Sequence, residues 1–395
     1  MSKIDDLIRK FCPDGVEYKS IKSLAEVGTG SSNGNEAQED GEYPFFIRSQ
    51  TVKRKNEWEY DEEAIIIPGE GGIGEIYHYV NGKYAIHQRV YRIHFIDDSV
   101  DVKFAYHYFR GFFKNFIMRK AVSATVKSIR KPMIEEFMLP VPPLEVQREI
   151  VHILDSFTLL TAELTAELTA RNKQYEFYRD NIIKKEQHIS EVKKLADVAN
   201  IYDSLHQTPS YSNSGYSMVR VQDIKGGYVD EDKTLKVDES VWNLFTQKYT
   251  PQLNDIVVSR VGSYGNFALI PNDKCCLGQN VALIHPNINP KYLYHVLMST
   301  MTKQWINNNV KGASQKSFSL ADIKRVPVPV PKDNIQQRIA EVLDNFESIC
   351  TDLNIGLPAE IEARQKQYEY YRDLFLTFAE TGSTLMTDRQ TDRQS

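Results

Sequence analysis

The chain has 395 residues, 41% hydrophobic and 26% charged, with a formal net charge of −5. That length holds two or three domains with real cores, and the acidic balance argues against a protein that coats nucleic acid through bulk positive charge. No apolar run approaches the roughly 20 residues that cross a bilayer, and the four cysteines form no C-x-x-C pair, so reduced thiols in a cytoplasmic protein are expected.

The chain opens MSKIDDLIRKFCPDG, with acids where a signal peptide carries its apolar core. Pro13-Asp14 and Glu17-Tyr18-Lys19 spell the P-D…E-x-K of many metal-dependent nucleases. Those acids normally converge from adjacent strands, whereas two intervening residues allow only a tight turn, so a turn after the first helix is expected. Residues 64–74, AIIIPGEGGIG, contain G-x-G-x-x-G behind a strand-like run. A dinucleotide site needs a helix next. The next residues are instead EIYHYVNGKYAIHQRVYRIHF, which predict a hairpin turning at Asn81-Gly82. The glycines then shape a strand-to-strand turn. From Lys103 to Met133 there are eight bases, Lys103, Arg110, Lys114, Arg119, Lys120, Lys127, Arg130 and Lys131, and no acid. This is either a local basic groove or a solvated helix face.

From Val146 the apolar positions Val146, Ile150, Ile153, Phe157, Leu160, Leu164 and Leu168 step by threes and fours, the seam of a coiled coil. Tyr175, Tyr178 and Ile182 extend it. The chain then repeats itself. LPVPPLEVQREIVHILDSF, beginning at Leu139, returns as VPVPKDNIQQRIAEVLDNF, beginning at Val328. KQYEFYRD, beginning at Lys173, returns as KQYEYYRD, beginning at Lys366. AIIIPGEGGIG lies over DIVVSRVGSYG at 255–265; Gly71 and Gly74 persist as Gly262 and Gly265, while Gly69 becomes Arg260. The second helix carries Ile335, Ile339, Val342, Phe346, Ile349 and Leu353, later Tyr368, Tyr371 and Phe375. Gly356 and Pro358 predict a break near 355–358.

The expected architecture is therefore α+β with a pseudo-twofold internal repeat: two globular domains, 1–142 and 191–330, joined by two long antiparallel coiled-coil helices, 143–190 and 331–380, with a disordered polar tail at 381–395. Two globular parts, each followed by P-x-P-x-x-x-x-Q and then Q-Y-E-[FY]-Y-R-D, resemble the specificity subunit of type I restriction-modification enzymes. The likeness covers nearly the whole chain, including GASQKSFSLADIKRVPVPVP and NIGLPAEIEARQKQYEYYRD. It implies that each globular part is a target-recognition domain reading one half of a bipartite site in double-stranded DNA. The helices would set the spacer and dock two methyltransferase (modification) subunits, with restriction/translocase subunits joining. It further implies a non-catalytic chain without a cofactor of its own, S-adenosylmethionine, ATP and Mg belonging to the partners. No methylation motif, P-loop, H-E-x-x-H or G-x-S-x-G is found, and the histidines lack metal-ligand spacing. A solitary methyltransferase or nuclease would need one of these; a coiled-coil scaffold that does not bind DNA is the other alternative.

Arg and Lys suit guanine, Gln and Asn suit adenine, and all can hold phosphates. The DNA-binding candidates at matched positions are Arg48 and Gln50 with Arg220 and Gln222, Gln88 with Gln279, and Lys127 with Lys316. Arg260 is unmatched, and the basic run adds Lys114, Arg119 and Lys120. Two domains that read different half-sites must differ at their base readers, so matched residues are expected to serve phosphates or structure. Tyr175, Tyr178, Arg179, Tyr368, Tyr371 and Arg372 are the candidates for holding the modification subunits.

Overall fold

The computed structural model describes residues 3–120, 128–310, 317–351 and 356–381. Lys127, Lys316, residues 352–355 of the expected helix break and the tail from 382 lie outside them. The chain forms two compact units: unit 1 is Met1–Glu163 with the chain from Glu362, and unit 2 is Leu164–Ile361.

Unit 1 is built on a six-stranded sheet, in the order Ala25–Thr29, Val90–Phe95, Tyr60–Pro68, His78–Ile86, Tyr43–Phe46, Lys53–Lys55. Its central strand is apolar on both faces because both are covered. Ile65 and Ile67 face a cluster with Phe104, Phe109 and Phe113, while Ala64 and Ile66 face Phe46, Val80, Tyr84 and Ile86. This is the period-two alternation of a strand, and each fully buried isoleucine contributes about 1.5–3 kcal/mol.

The hairpin expected at Asn81-Gly82 is absent. His78–Ile86 runs straight through that dipeptide, opposite Glu62 and Glu63, with Gly82 at φ +112°. The chain does not reverse at 87–89 either: Val90–Phe95 runs in the same direction as His78–Ile86 and pairs with Tyr60–Pro68 on its other side. A turn at Asn81-Gly82 would break the row Val80, Tyr84, Ile86, which is buried against Ala64 and Ile66. Long-range burial overrides the local turn preference. The G-x-G-x-x-G stretch does join two antiparallel strands, Tyr60–Pro68 and His78–Ile86. Gly71 and Gly74 sit at φ +74° and +65°, and Gly262 and Gly265 both at +75°, so these glycines persist because the turn needs left-handed backbone.

Unit 2 carries a four-stranded sheet, Ala199–Asp203, Val281–Pro286, Ile256–Ser259, Phe267–Leu269, and a three-stranded one, Leu235–Val237, Tyr216–Val219, Cys275–Leu277. Its parallel pairing of Ser217–Val219 with Cys275–Leu277 repeats that of Phe45-Phe46 with Ala85-Ile86. The ribbon of Glu191–Lys194 with Pro327–Val330 repeats that of Tyr18–Ser20 with Met138–Pro140. Burial pushes the Cys275 and Cys276 thiols up to about 12, which leaves them unreactive.

The central helix, Leu144–Ile189, is continuous over 46 residues. Its first part, with Val146, Ile150 and Leu154, is buried in the core of unit 1; its second part, with Tyr175 and Ile183, is buried in the core of unit 2. The second repeat's helix is two pieces, Asp333–Thr351 in unit 2 and Leu357–Thr381, whose end packs in unit 1. Within unit 2, Tyr178 meets Phe346 (5.6 Å between rings), and Arg171 acts electrostatically on Cys350. One number falls as the other rises, so these two helices run antiparallel. In unit 1, Phe157 stacks on Tyr371 at 5.3 Å.

Candidate nucleic-acid interface

Each unit holds the same buried polar lock. In unit 1, His107 lies beneath the sheet with Nε2 3.0 Å from Asp155 Oδ1 and Nδ1 2.9 Å from the Tyr368 hydroxyl, which comes from 261 residues further along the chain. The carboxylate accepts from Nε2–H, so Nδ1 accepts from the tyrosine. Lys103 Nζ donates to the other Asp155 oxygen at 2.7 Å. Burial lowers the His107 pKa and keeps the ring neutral; the hydrogen bond from His107 holds Asp155 down at about 2. In unit 2 the same set is His295, Asp344, Tyr175 and Lys291, with 2.8 Å from Nε2 to Asp344 and 3.0 Å from Nδ1 to Tyr175. Glu347 joins His295 and Asp344 as the one group among the described residues compatible with a metal. Lys291 and Tyr294 already occupy its two carboxylates, which makes it a structural lock as it stands.

The locks account for several tyrosine-segment candidates. Tyr175 and Tyr368 are buried at 6% and 5% exposure. Arg179 is buried, its guanidinium over the Tyr175 ring and paired with Asp180. Arg372 lies over Tyr368, and Gly111 makes room for it: a Cβ there would sit 3.1 Å from Arg372 Nε. Tyr371 packs on Phe157, and Tyr178, partly exposed, on Phe346. The aromatic that projects outward is Phe177, at 65% exposure, and its repeat counterpart Tyr370, at 52%. Neither is among the candidates drawn from the sequence, although the repeat matches an aromatic to an aromatic there.

The DNA-binding candidates of unit 1 gather at one edge of the sheet. Three backbone hydrogen bonds tie its loops together: His87 N–H to Phe46 O (2.9 Å), Gly69 N–H to Arg89 O (2.9 Å) and Ile129 N–H to Gly69 O (2.7 Å). On this frame stand Arg48, Gln50, Gln88 and Arg89, all exposed. Glu70 accepts from Arg48 Nη1 at 3.0 Å and from Arg89 Nη1 at 2.9 Å. The Arg89 hydrogen bond, then that of Arg48, lowers the Glu70 pKa despite some desolvation. Gln88 donates to Asn33 at 3.0 Å. Lys114 adjoins Gly74 and pairs with Glu75 at 2.8 Å. Arg119 and Lys120 are on the same helix, Lys114–Lys120, with Arg119 exposed.

Unit 2 repeats the frame bond for bond: Gly278 N–H to Val219 O (2.8 Å), Arg260 N–H to Asn280 O (2.8 Å) and Phe318 N–H to Arg260 O (2.8 Å). Its side chains are arranged differently. Arg260 turns inward to Asp203 and the Phe318 carbonyl, at 18% side-chain exposure. Arg220 closes on Asp223 through its backbone N–H and guanidinium, at 2.9 and 3.1 Å. Gln222 is exposed beside it, and Gln279 donates to Thr208 at 3.2 Å. Thus Arg260 and Arg220 are engaged internally, while Gln88 and Gln279 each tether a preceding loop.

A model of the type I restriction modification DNA specificity domain matches the chain twice, at residues 13–171 and 189–363. The chain belongs to this family. It is a specificity subunit, the non-catalytic member of such a system. The specificity subunit of the Escherichia coli enzyme EcoR124I/EcoR124II is 36% identical over 248 residues, 60% of this chain and 61% of that protein. A putative type I specificity subunit of Haemophilus influenzae is 27% identical over 382 residues, 92% of this chain and 96% of that one. The S subunit of a type I restriction-modification system from M. genitalium shares the fold, with a TM-score of 0.55 at 15% identity, covering 93% of this chain and 96% of that one. Among the described residues of this specificity subunit, no helix is long and apolar enough to cross a membrane.

Proposed function

We propose that each unit reads one half of a bipartite site in double-stranded DNA through its loop edge, in the cytoplasm. One observation carries this reading: both units build the same backbone frame, yet dress it with different side chains. A shared frame explains two equivalent dockings, and different side chains explain two different half-sites. The helices measure the spacer and carry two methyltransferase subunits. Phe177 and Tyr370 are the aromatic anchors for those subunits, because they are matched by the repeat and left exposed. S-adenosylmethionine, ATP and Mg belong to the methyltransferase and restriction partners. The test is to purify the chain with its methyltransferase partner and map methylated adenines in genomic DNA. A bipartite motif is expected; a continuous motif, or methylation without sequence preference, would overturn the reading. A scaffold that does not bind DNA would also shift no duplex in a gel with its partner present.

A further inference from the structure

The two frames share their backbone hydrogen bonds, so the repeat shows which side chains differ on them. Position 70 is Glu in unit 1 and Val261 in unit 2; position 89 is Arg in unit 1 and Asn280 in unit 2. With Phe46 equivalent to Val219 in the frame, Arg48 falls opposite Val221. Arg89 is thus an exposed base on the shared frame whose equivalent in unit 2, Asn280, carries no charge. Its side chain is 56% exposed, and its backbone is pinned on both sides, by the Gly69 N–H on its carbonyl and by its own N–H on His87 Nδ1 at 3.0 Å. Glu70 engages one terminal nitrogen of Arg89, at 2.9 and 3.2 Å to its two oxygens. That leaves the other edge of the guanidinium fork for a planar two-acceptor partner.

We propose that Arg89, held by Glu70, is a base-reading residue of unit 1, specific for the two major-groove acceptors of a guanine, and that Asn280 occupies the equivalent reading position in unit 2. The inference rests on the proposed DNA reading and goes beyond it in naming the position that differs. Arg donates twice to guanine O6 and N7, whereas Asn pairs with adenine N6 and N7. Asn280 presents its side chain from left-handed backbone, φ +62°, which Arg89 does not adopt, so the equivalent positions differ in side chain and in direction between the two half-sites. Glu70 is a positioning residue: it fixes the fork, and unit 2 has no need of it because the shorter Asn280 has no fork to orient.

The test uses the full chain with its methyltransferase partner, on duplexes carrying every single base change in both half-sites. Arg89→Ala should lower discrimination at one G·C pair of one half-site by roughly tenfold to a hundredfold. The other half-site should be read as before, which also shows that the variant is folded. Arg89→Lys should keep binding but recover only part of the discrimination, since an ammonium lacks the fork. Glu70→Gln should weaken discrimination at the same base pair and no other. A uniform loss on all duplexes, with the salt slope falling by about 0.9, would make Arg89 a phosphate contact and overturn the proposal. An unchanged profile would overturn it as well. If the wild-type complex itself shows no half-site preference, the DNA reading fails instead.

Discussion

At the scale of single residues, the two histidine locks decide what the tyrosine segments do. Tyr368 supplies the proton that His107 Nδ1 accepts inside a buried pocket. Tyr368→Phe keeps the ring and removes the donor, leaving a buried acceptor unsatisfied; a loss of about 1–2 kcal/mol is expected. Thermal unfolding measures it, and an unchanged Tm would show that the hydroxyl contributes nothing. Asp155 makes a pH prediction. Its pKa is lowered from the usual 3.8 to about 2 by the hydrogen bond from His107 and the pairing with Lys103. The folded state therefore binds the proton less readily than the unfolded one. The resulting stability is fully present above about pH 4 and is lost as pH falls toward 2. Because the carboxylate is 38% exposed, solvent screening reduces the effect to about 1 kcal/mol. Urea unfolding at pH 5, 4, 3 and 2.5 should show the wild type losing stability relative to Asp155→Asn over the lower part of that range. Parallel curves would assign the acid sensitivity elsewhere.

At the scale of elements, the central helix carries the tandem Thr161-Ala162-Glu163-Leu164-Thr165-Ala166-Glu167-Leu168, and the division between the two units falls inside it, between Glu163 and Leu164. Only Leu164 and Leu168 recur as half-buried apolar positions there. Another T-A-E-L adds about 6 Å of rise and about 40° beyond a full turn, so the apolar stripe is only mildly rotated and the helix persists. One DNA base pair adds about 3.4 Å and, at about 10–10.5 pairs per turn, about 34–36°. The rotations nearly coincide. A chain with one extra unit should keep both half-sites and recognise a spacer one base pair longer; deletion should shorten it. Methylation mapping of the insertion variant decides this, and an unchanged spacer would remove the helix from the role of ruler. The rise exceeds that of one base pair, so part of it is taken up by tilt or by bending of the DNA.

At the scale of the molecule, neither unit coincides with a half of the repeat. Each takes its globular part from one half and a tyrosine-bearing helix end from the other: Tyr368 closes unit 1 and Tyr175 closes unit 2. This constrains any exchange of recognition domains. Replacing residues 15–142 with the equivalent segment of a relative should change one half of the recognised site and leave the other. The donor must bring its own counterparts of His107 and Gly111, because Tyr368 and Arg372 stay behind. A donor lacking them should give a chain of lower Tm even if its recognition loops are intact. If both halves of the site changed, the two-module reading would be wrong.

Much of this was legible in the amino-acid order alone. The doubled chain, the long helices, the left-handed glycines and the family all follow from spacing and from residues repeated at matched positions. Those signals are local or periodic, so they survive without knowledge of what packs on what. The tertiary structure decided the rest. Arg260 and Arg220 are DNA-binding candidates in one dimension, Arg220 with a structural role already in view, and the fold brings Asp203 and Asp223 to them. Asn81-Gly82 reads as a turn, but the burial of Val80, Tyr84 and Ile86 pulls the strand through it. The tyrosine segments supply candidates for holding the modification subunits, and the fold turns Tyr175 and Tyr368 inward to histidines more than a hundred residues away, with Phe177 and Tyr370 exposed. In each case the outcome depends on a partner brought close only by folding, and burial and hydrogen-bond satisfaction across that distance outweigh the preference of the local sequence.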